Sequence, residues 1–424
     1  MRITLYVVLD TIRSVIRSVT GNSILGSNRN AQIVMPSSNV PQLTLFPSGY
    51  PNWMTPSWEQ RKLGEISESY SGGTPSAGKD EYYGGDIPFI RSAEIADFKT
   101  ELFLTEEGYK SSSAQMVKPG DILYALYGAT SGEVAVSKQK GAINQAILAI
   151  LPTEKCDASY LASWLRSMKQ TIVATYLQGG QGNLSGAIVK ELEVPLPCIA
   201  EQKHIGFLFA NLDNLITLHQ RKYDKLCAVK KSMLDKMFPK PGEIEPEIRF
   251  AGFTDPWEQR KLGDVANIKT GDSDLQDAVP NGLYPFFVRS DKVERSNRYL
   301  FDGEAILVPG EGRLGEIFHY INGKFDYHQR VYKISNFVDV DAKFAMYSMM
   351  YGFKKHALEN TAKATVDSIR LPTLTEFKFR VPCRDEQYQI NVFFSRLDNL
   401  ITLHQRELNL LKNTKKSLLD KMFV

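Results

Sequence analysis

The stretch Leu212-Asp-Asn-Leu-Ile-Thr-Leu-His-Gln-Arg221 occurs twice in this chain, letter for letter, and it decides the fold. The second copy lies 185 residues later, at 397–406. At the same offset Lys230-Lys-Ser-Met-Leu-Asp-Lys-Met-Phe238 returns at 415–423 with a single Met-to-Leu change. Two long matches in the same order do not arise by chance, so the chain contains an internal duplication.

The repeated segment has the apolar periodicity of a long helix. Its apolar residues are separated by alternating steps of three and four, which is typical of a coiled coil. The first copy has Ile205, Leu208, Leu212, Leu215, Leu226, Val229 and Met233, and the second has Ile390, Phe393, Leu397, Leu400, Leu411 and Leu418. Two ordinary core helices are the alternative, but the identity of the copies favours pairing with each other.

We therefore predict a seam between the two helices. Its members are Leu208, Leu212, Leu215, His219, Leu226, Phe393, Leu397, Leu400, His404 and Leu411. His219 and His404 occupy equivalent positions, and pairing of the helices would give them the spacing of metal ligands. We interpret them instead as polar residues that set the register of the seam, and we predict no metal site.

A second repeat opens each half of the chain. Trp58-Glu-Gln-Arg-Lys-Leu-Gly64 recurs at 257–263, an offset of 199 residues, and the sequences that follow diverge. Each half thus combines a variable region with a nearly invariant helix. Strand-like runs such as Ile122-Leu-Tyr-Ala-Leu-Tyr127 alternate with turns, and helical stretches follow at 158–177 and 342–358, so each variable region is predicted to be an α+β domain.

The predicted organisation has five parts. They are a poorly ordered extension at 1–40, a first domain at 41–195, a central helix at 196–240, a linker and second domain at 241–382, and a C-terminal helix at 383–424. The extension has no counterpart in the second half and is rich in Asn and Ser.

Composition excludes several classes of protein. The net charge is only +3, so a DNA-binding protein of this composition would have to concentrate its basic residues on particular surfaces. The four cysteines are far apart and form no C-x-x-C pair, which argues against zinc fingers and disulfide frameworks. No apolar run is long enough to cross a bilayer and no signal peptide is evident, so we expect a cytoplasmic protein without membrane contact.

Motifs of enzymes are incomplete. Gly73-Thr-Pro-Ser-Ala-Gly78-Lys79-Asp80 nearly fits a phosphate-binding loop, but Asp80 stands where a hydroxyl should bind magnesium. The chain has no Pro-Pro dipeptide, and adenine methyltransferases use such a motif to hold the flipped base. We therefore expect no catalytic residue in this chain.

These pieces together resemble the specificity subunits of Type I restriction–modification systems. In that family two variable regions each open with W-E-x-[RK]-K-L-G and close with a V-P turn, E-Q and a long helix. The matching elements here are Trp58-Glu-Gln-Arg-Lys-Leu-Gly64, Gly72-Gly-Thr-Pro75, Val194-Pro-Leu-Pro197 and Glu201-Gln202, then Val381-Pro382 and Glu386-Gln387, with the repeated helices. The resemblance covers residues 54–424 approximately. In the second half Thr270-Gly-Asp-Ser-Asp274 replaces Gly72-Gly-Thr-Pro75, so the role of that loop is not carried across.

The resemblance implies a complete functional assignment. Each variable region would be a target recognition domain that reads one half of a split, asymmetric site in double-stranded DNA. The two helices would pack antiparallel as a spacer. Two modification (methyltransferase) subunits, which carry S-adenosylmethionine, would dock on the repeated parts, and restriction subunits would join them. This chain itself would bind no cofactor.

Candidate DNA-binding residues follow from the chemistry of base recognition, which requires donors and acceptors that reach base edges. In the first domain they are Thr74, Ser76, Lys79, Tyr82, Tyr83, Arg91, Asn144 and Gln145. In the second domain they are Lys269, Thr270, Arg289, Arg313, His328, Gln329 and Arg330. The alternative functions are a stand-alone enzyme that modifies or cleaves DNA and a two-headed adaptor that binds only proteins.

Overall fold

The computed structural model describes residues 58–177, 183–360 and 368–423. The predicted extension at 1–40 and the predicted start of the first domain at 41–57 lie outside the described residues. The chain divides into two units. The first unit takes in Met1–Leu218 and Glu407–Val424, and the second is His219–Arg406.

The first unit is an α+β domain with two four-stranded sheets. One sheet has the order β2-β9-β6-β7 and the other the order β4-β3-β8-β5, in which β3 and β8 run parallel. Its strands are β1 Glu59–Lys62, β2 Ser67–Ser71, β3 Tyr83–Ile90, β4 Phe103–Leu104, β5 Gln115–Val117, β6 Ile122–Ala125, β7 Val134–Val136, β8 Gly141–Ile143, β9 Ile147–Pro152 and β10 Glu193–Leu196. Its short helices are α1 Leu63–Ile66, α2 Glu106–Lys110, α3 Ala158–Tyr176 and α4 Gly186–Lys190.

The second unit has one six-stranded sheet in the order β12-β17-β15-β16-β13-β14. Its strands are β11 Glu258–Lys261, β12 Asn267–Thr270, β13 Tyr284–Phe287, β14 Val293–Ser296, β15 Phe301–Pro309, β16 His319–Tyr327, β17 Val331–Ser335 and β18 Lys378–Val381. Its short helices are α6 Leu262–Val265, α7 Ala342–Asn360 and α8 Leu371–Thr375. Here too one neighbouring pair, β13 and β16, is parallel.

The repeated sequence motifs form the same framework in both units. The strand that begins each half pairs antiparallel with the strand that ends its variable region, β1 with β10 and β11 with β18. The glutamine of each E-Q motif is buried, and Gln202 and Gln387 each donate to a proline carbonyl at 2.9 Å. Each also accepts from the backbone N–H of the residue just before a helix, at 2.9 Å from Asp157 and at 2.8 Å from Asp341. These side chains fix the start of each long helix to its own domain.

The long helices are α5 Ile199–Met237 and α9 Arg384–Met422. α5 ends just before Pro239, whose ring cannot continue a helix. No helix in the described part of the chain is long and apolar enough to cross a membrane.

Within the second unit the two helices pack antiparallel, as expected. Along α5 the contacts run from His219 to Lys230 to Phe238, while along α9 they run backwards. The Nδ1 atoms of His219 and His404 are 3.2 Å apart, Lys230 Nζ lies 2.6 Å from Asp398, and the rings of Phe238 and Phe394 are 6.1 Å apart. The predicted meeting of the two histidines is therefore confirmed.

The first unit contains the other half of each helix, and its segments 199–218 and 407–422 also pack antiparallel. Phe209 stacks on Phe423 with ring centroids 6.1 Å apart, and Asp213 forms an ion pair with Lys415. Since Asp213 and Lys230 correspond to Asp398 and Lys415 at the 185-residue offset, both units use the same ion pair.

Most predicted seam residues are buried or half-buried, but Leu400 is 44% exposed and was wrongly assigned. The buried row in α9 contains two kinds of position. One is the set of residues that includes His404 and recurs every seven residues. The other lies four residues after each member of that set, as at Phe394 and Leu408, which are 0% and 1% exposed. The prediction used the positions three residues further on instead, where Phe393 is half-buried and Leu400 is exposed. Phe393 and Leu400 line an open apolar groove beside Phe250.

Candidate nucleic-acid interface

In the first unit a glycine brings two loops together. Gly72 follows β2 and crosses the end of β8 so closely that an added Cβ would lie 1.8 Å from the Ile143 carbonyl oxygen. Only glycine permits this approach. It places Thr74 beside Gln145, and their side chains share a hydrogen bond. Hydroxyl and amide groups at this edge can donate to or accept from bases.

The rest of the loop is tied down by two tyrosines. Lys79 Nζ lies 2.8 Å from the Tyr82 hydroxyl, and the Tyr83 hydroxyl donates to the Pro75 carbonyl at 3.0 Å. Thr74, Ser76 and Lys79 are exposed, whereas Tyr82 is 8% exposed. Tyr82 therefore does not present its edge to DNA, and in this respect the prediction was wrong: it packs into the domain and orients Lys79.

Arg91 and Asn144 lie at the neighbouring ends of parallel strands β3 and β8, where Ile90 pairs with Ile143. Arg91 is held by Glu94, with Nη2 2.6 Å from Oε1, and by Glu101 at 3.3 Å. Hydrogen bonds from the Arg91 side chain, acting against burial, lower the pKa of Glu94 to about 2. The guanidinium is thereby oriented, and it would have to exchange one of these carboxylates for a DNA group.

The second unit repeats the glycine contact with different side chains around it. Gly271 corresponds to Gly72 at the 199-residue offset, and an added Cβ would lie 1.9 Å from the Tyr327 carbonyl oxygen. The altered sequence Thr270-Gly-Asp-Ser-Asp274 thus keeps the backbone role that the sequence alone left unassigned. Within this loop the carboxylate of Asp274 lies 3.2 Å from His328 Nε2 and 3.0 Å from Gln329 Nε2.

His328 is a supporting residue and not a base-reading one. It is 2% exposed, and its Nδ1 accepts from the Arg330 backbone N–H at 2.9 Å. Nδ1 must then be unprotonated, so Nε2 carries the proton and donates to Asp274. The predicted contact of His328 with DNA was wrong because the ring is buried beneath the loop. Gln329 and Arg330 remain exposed.

Two of the predicted arginines of the second unit, Arg289 and Arg330, pair with the same glutamate. Glu311 lies 3.2 Å from Arg289 and also pairs with Arg330. Although burial opposes ionisation, hydrogen bonds from both arginines lower the pKa of Glu311. Arg313 pairs separately with Asp291, while Lys269 and Thr270 lie exposed on β12.

Sequence reasoning missed the acidic partners Glu94, Asp274 and Glu311. The spacing of Arg91 and Glu94 could have indicated their pairing, because residues three apart meet in a helical turn. No comparable signal links Glu311 to Arg289, which is 22 residues away. Carboxylates are themselves able to accept from cytosine N4, so Asp274 and Glu311 are further candidates for contact with bases.

Comparison with known proteins gives consistent matches. A family model described as the Type I restriction modification DNA specificity domain matches residues 56–228 and again 254–413. The MjaVIII specificity subunit of Methanocaldococcus jannaschii, a Type I restriction enzyme component, is 24% identical over 397 residues, covering 86% of this chain and 91% of that protein. The MjaIX specificity subunit of the same organism is 26% identical over 250 residues, covering 54% of this chain and 56% of that protein.

A solved structure shares the fold. The S subunit of a Type I restriction–modification system from M. genitalium superposes with a TM-score of 0.64 at 16% identity, covering 87% of this chain and 96% of that one.

Proposed function

The chain belongs to the Type I restriction modification DNA specificity family, and from that membership we propose that it reads a bipartite, asymmetric DNA site with one domain per half-site. It is a specificity subunit, and its predicted role is recognition without catalysis. The observation that carries the proposal is a repeated framework with unlike side chains. Gly72 and Gly271 support equivalent loops, but those loops present Thr74 with Gln145 in one domain and Asp274 with Gln329 in the other.

Unlike side chains on a shared framework favour unlike half-sites. A hydroxyl and an amide can donate and accept, whereas a carboxylate only accepts. Both loops carry a glutamine amide, which suits adenine, but only the second adds a carboxylate, which suits cytosine, so we expect the two loops to prefer different bases.

The proposed partners are two modification subunits, with restriction subunits joining through them. Support comes from residues on the outer faces of the long helices. Asn214, Leu218 and Arg221 recur as Asn399, Leu403 and Arg406, and all six are exposed. Their spacing of four and three places each set on one helix face. Packing in the seam does not require these exposed residues to be identical in the two helices. Docking of two copies of one partner surface would account for their identity.

S-adenosylmethionine and the adenine methyltransferase active site are proposed to reside on those modification subunits. The incomplete enzyme motifs of this chain are consistent with that division. Membership of the family favours this role over the two alternatives, a stand-alone DNA enzyme and an adaptor without DNA binding.

Domain exchange tests the proposal. The complete complex would be expressed with residues 257–380 replaced by 58–193, and methylated adenines would be mapped across the genome. We expect the natural chain to give an asymmetric split site and the exchanged chain to give a palindromic split site. An unchanged asymmetric site would contradict separable reading domains. Methylation by this chain without a modification subunit would instead favour the stand-alone enzyme.

A further inference from the structure

Two lysines face each other across neighbouring strands of the second unit. Lys269 on β12 and Lys333 on β17 are directly opposed in the antiparallel register. Opposed residues of such a pair project from the same face of the sheet, with their Cβ atoms about 5 Å apart. Like charges in this arrangement repel, and the free chain gains nothing from placing them there.

Lys333 is also buried. It is 6% exposed, and its ammonium lies over the Phe301 ring, 3.5 Å from the centroid. The ring lies against Gly303, where an added Cβ would stand 3.1 Å from it. The ring face partly compensates the buried charge. Burial and the nearby Lys269 nevertheless lower the pKa of Lys333.

No acid relieves this charge in the described part of the chain. Glu311 neutralises two neighbouring arginines, yet neither Lys269 nor Lys333 forms an ion pair with any described carboxylate. Buried lysines are otherwise nearly always paired. The two lysines therefore offer an anion a pair of positive charges that no described carboxylate of this unit neutralises.

The first unit shows that the sheet does not require lysines here. At the corresponding positions of β2 and β9, Tyr70 is opposed to Ala149. The Tyr70 hydroxyl donates to the Met116 carbonyl at 2.8 Å, so this position is satisfied internally. The paired cations are thus a property of the second unit alone.

We propose that Lys269 and Lys333 together bind one phosphodiester group of the DNA beside the half-site that the second domain reads. This inference rests on the proposed function and adds a contact that positions the DNA. A phosphate oxygen between the ammonium groups would replace their repulsion with two charge-assisted hydrogen bonds. Because phosphates are the same at every base pair, the site contributes affinity and register but no sequence preference.

Lys333→Met is the decisive variant, since methionine keeps most of the unbranched side chain and removes the charge. In the full complex with modification subunits, binding to DNA carrying the methylome-defined site is measured by titration at several salt concentrations. We expect the affinity to fall about tenfold for all sequences alike and the salt dependence to lose about one ion. Without DNA, the thermal unfolding midpoint of the variant should stay the same or rise by about 2 °C. The reason is that the substitution removes both the repulsion between the two lysines and the buried charge.

Lys269→Met and the double variant sharpen the test. If one phosphate is shared, the double variant should also lose about one ion and not two. Lys355→Met, at an exposed lysine of α7 that pairs with Glu359, is the matched control and should leave binding unchanged.

Several results would overturn the inference. One is a lower unfolding midpoint of Lys333→Met with unchanged DNA affinity. Another is a loss of DNA affinity that is confined to particular base sequences. A third is that inorganic phosphate raises the unfolding midpoint of the natural chain while the lysine variants bind DNA normally. If the natural complex has no preference for any split site, the proposed function itself fails, and that outcome is separate from an effect of Lys333.

Discussion

The two recognition domains place the same glycine against the same strand end, but the side chains that meet the neighbouring glutamine differ. Around Gly72 the outer groups are neutral, and Thr74 meets Gln145. Around Gly271 they include a carboxylate, because Asp274 holds His328 and Gln329. Backbone sterics therefore preserve the framework, whereas the side chains that it displays can diverge without disturbing it.

Adding a methyl group at the shared glycine should break the common framework and give the largest effect. Gly72→Ala and Gly271→Ala each place a Cβ within 2 Å of a backbone oxygen, so we expect a loss of about 4 kcal/mol in the free energy of unfolding of the affected unit. Hydrogen exchange measured by mass spectrometry should show the loss in that unit first. Gly78→Ala is the control, because nothing lies within 4 Å of its added Cβ. A Gly72→Ala variant as stable as Gly78→Ala would show that the loop is not clamped.

The corresponding glutamates Glu386 and Glu201 separate the two domains further. Glu386 is 1% exposed and is held by Arg249 at 2.8 Å, whereas burial raises the pKa of Glu201. Arg249→Met should destabilise the second unit by about 3 kcal/mol, because it leaves a buried carboxylate unpaired. Chemical denaturation followed by Trp257 fluorescence measures this change. Glu201→Gln should have little effect or stabilise at neutral pH, and an equal loss in both variants would refute the distinction.

Acid should affect the first domain through Glu94. Its folded pKa of about 2 lies below the ordinary value of 4.5, so its contribution is complete well above pH 4.5 and is lost as the pH falls toward 2. We expect the contribution to be about 2 kcal/mol after a reduction for the exposed part of Arg91. Unfolding free energies between pH 3 and pH 7 should show this slope in the natural chain and a weaker one in Glu94→Gln. Parallel curves would mean that the pair does not stabilise the fold.

The smallest effects are expected from the displayed side chains themselves. Thr74→Val should relax base preference only in the first half-site, and Asp274→Asn only in the second, each by about 1 kcal/mol or roughly fivefold. Mapping of methylated adenines in cells measures both preferences at once. If either variant changed the opposite half-site, the assignment of domains to half-sites would be wrong.

Much of the architecture could be predicted from repetition and periodicity. The stripe of apolar residues predicted α5 and α9, and the strand at Ile122–Ala125 and the helix at Ala158–Tyr176 agree with the predicted runs. Leu400 was misplaced because residues three and four positions after a seam residue lie on opposite sides of the seam. The sequence contains leucine at both kinds of position, so periodicity does not distinguish them.

The individual site residues were harder to predict, and those that remain exposed stay predictions. Burial of Tyr82 and His328 depends on how a loop folds over them, which nearby residues do not determine. Lys333 was missed because only the register of β17 with β12 places it opposite Lys269. Partners distant in sequence decide these cases.

The discontinuous first unit has a consequence for synthesis. Leu411, Leu418 and Phe423 from the end of α9 pack in its core against Phe209 and Tyr160. A ribosome translates the entire second unit, His219–Arg406, before it reaches these residues. The first unit is therefore the first to be synthesised but the last to complete its core. Until then the nascent chain exposes an apolar surface that a chaperone can bind.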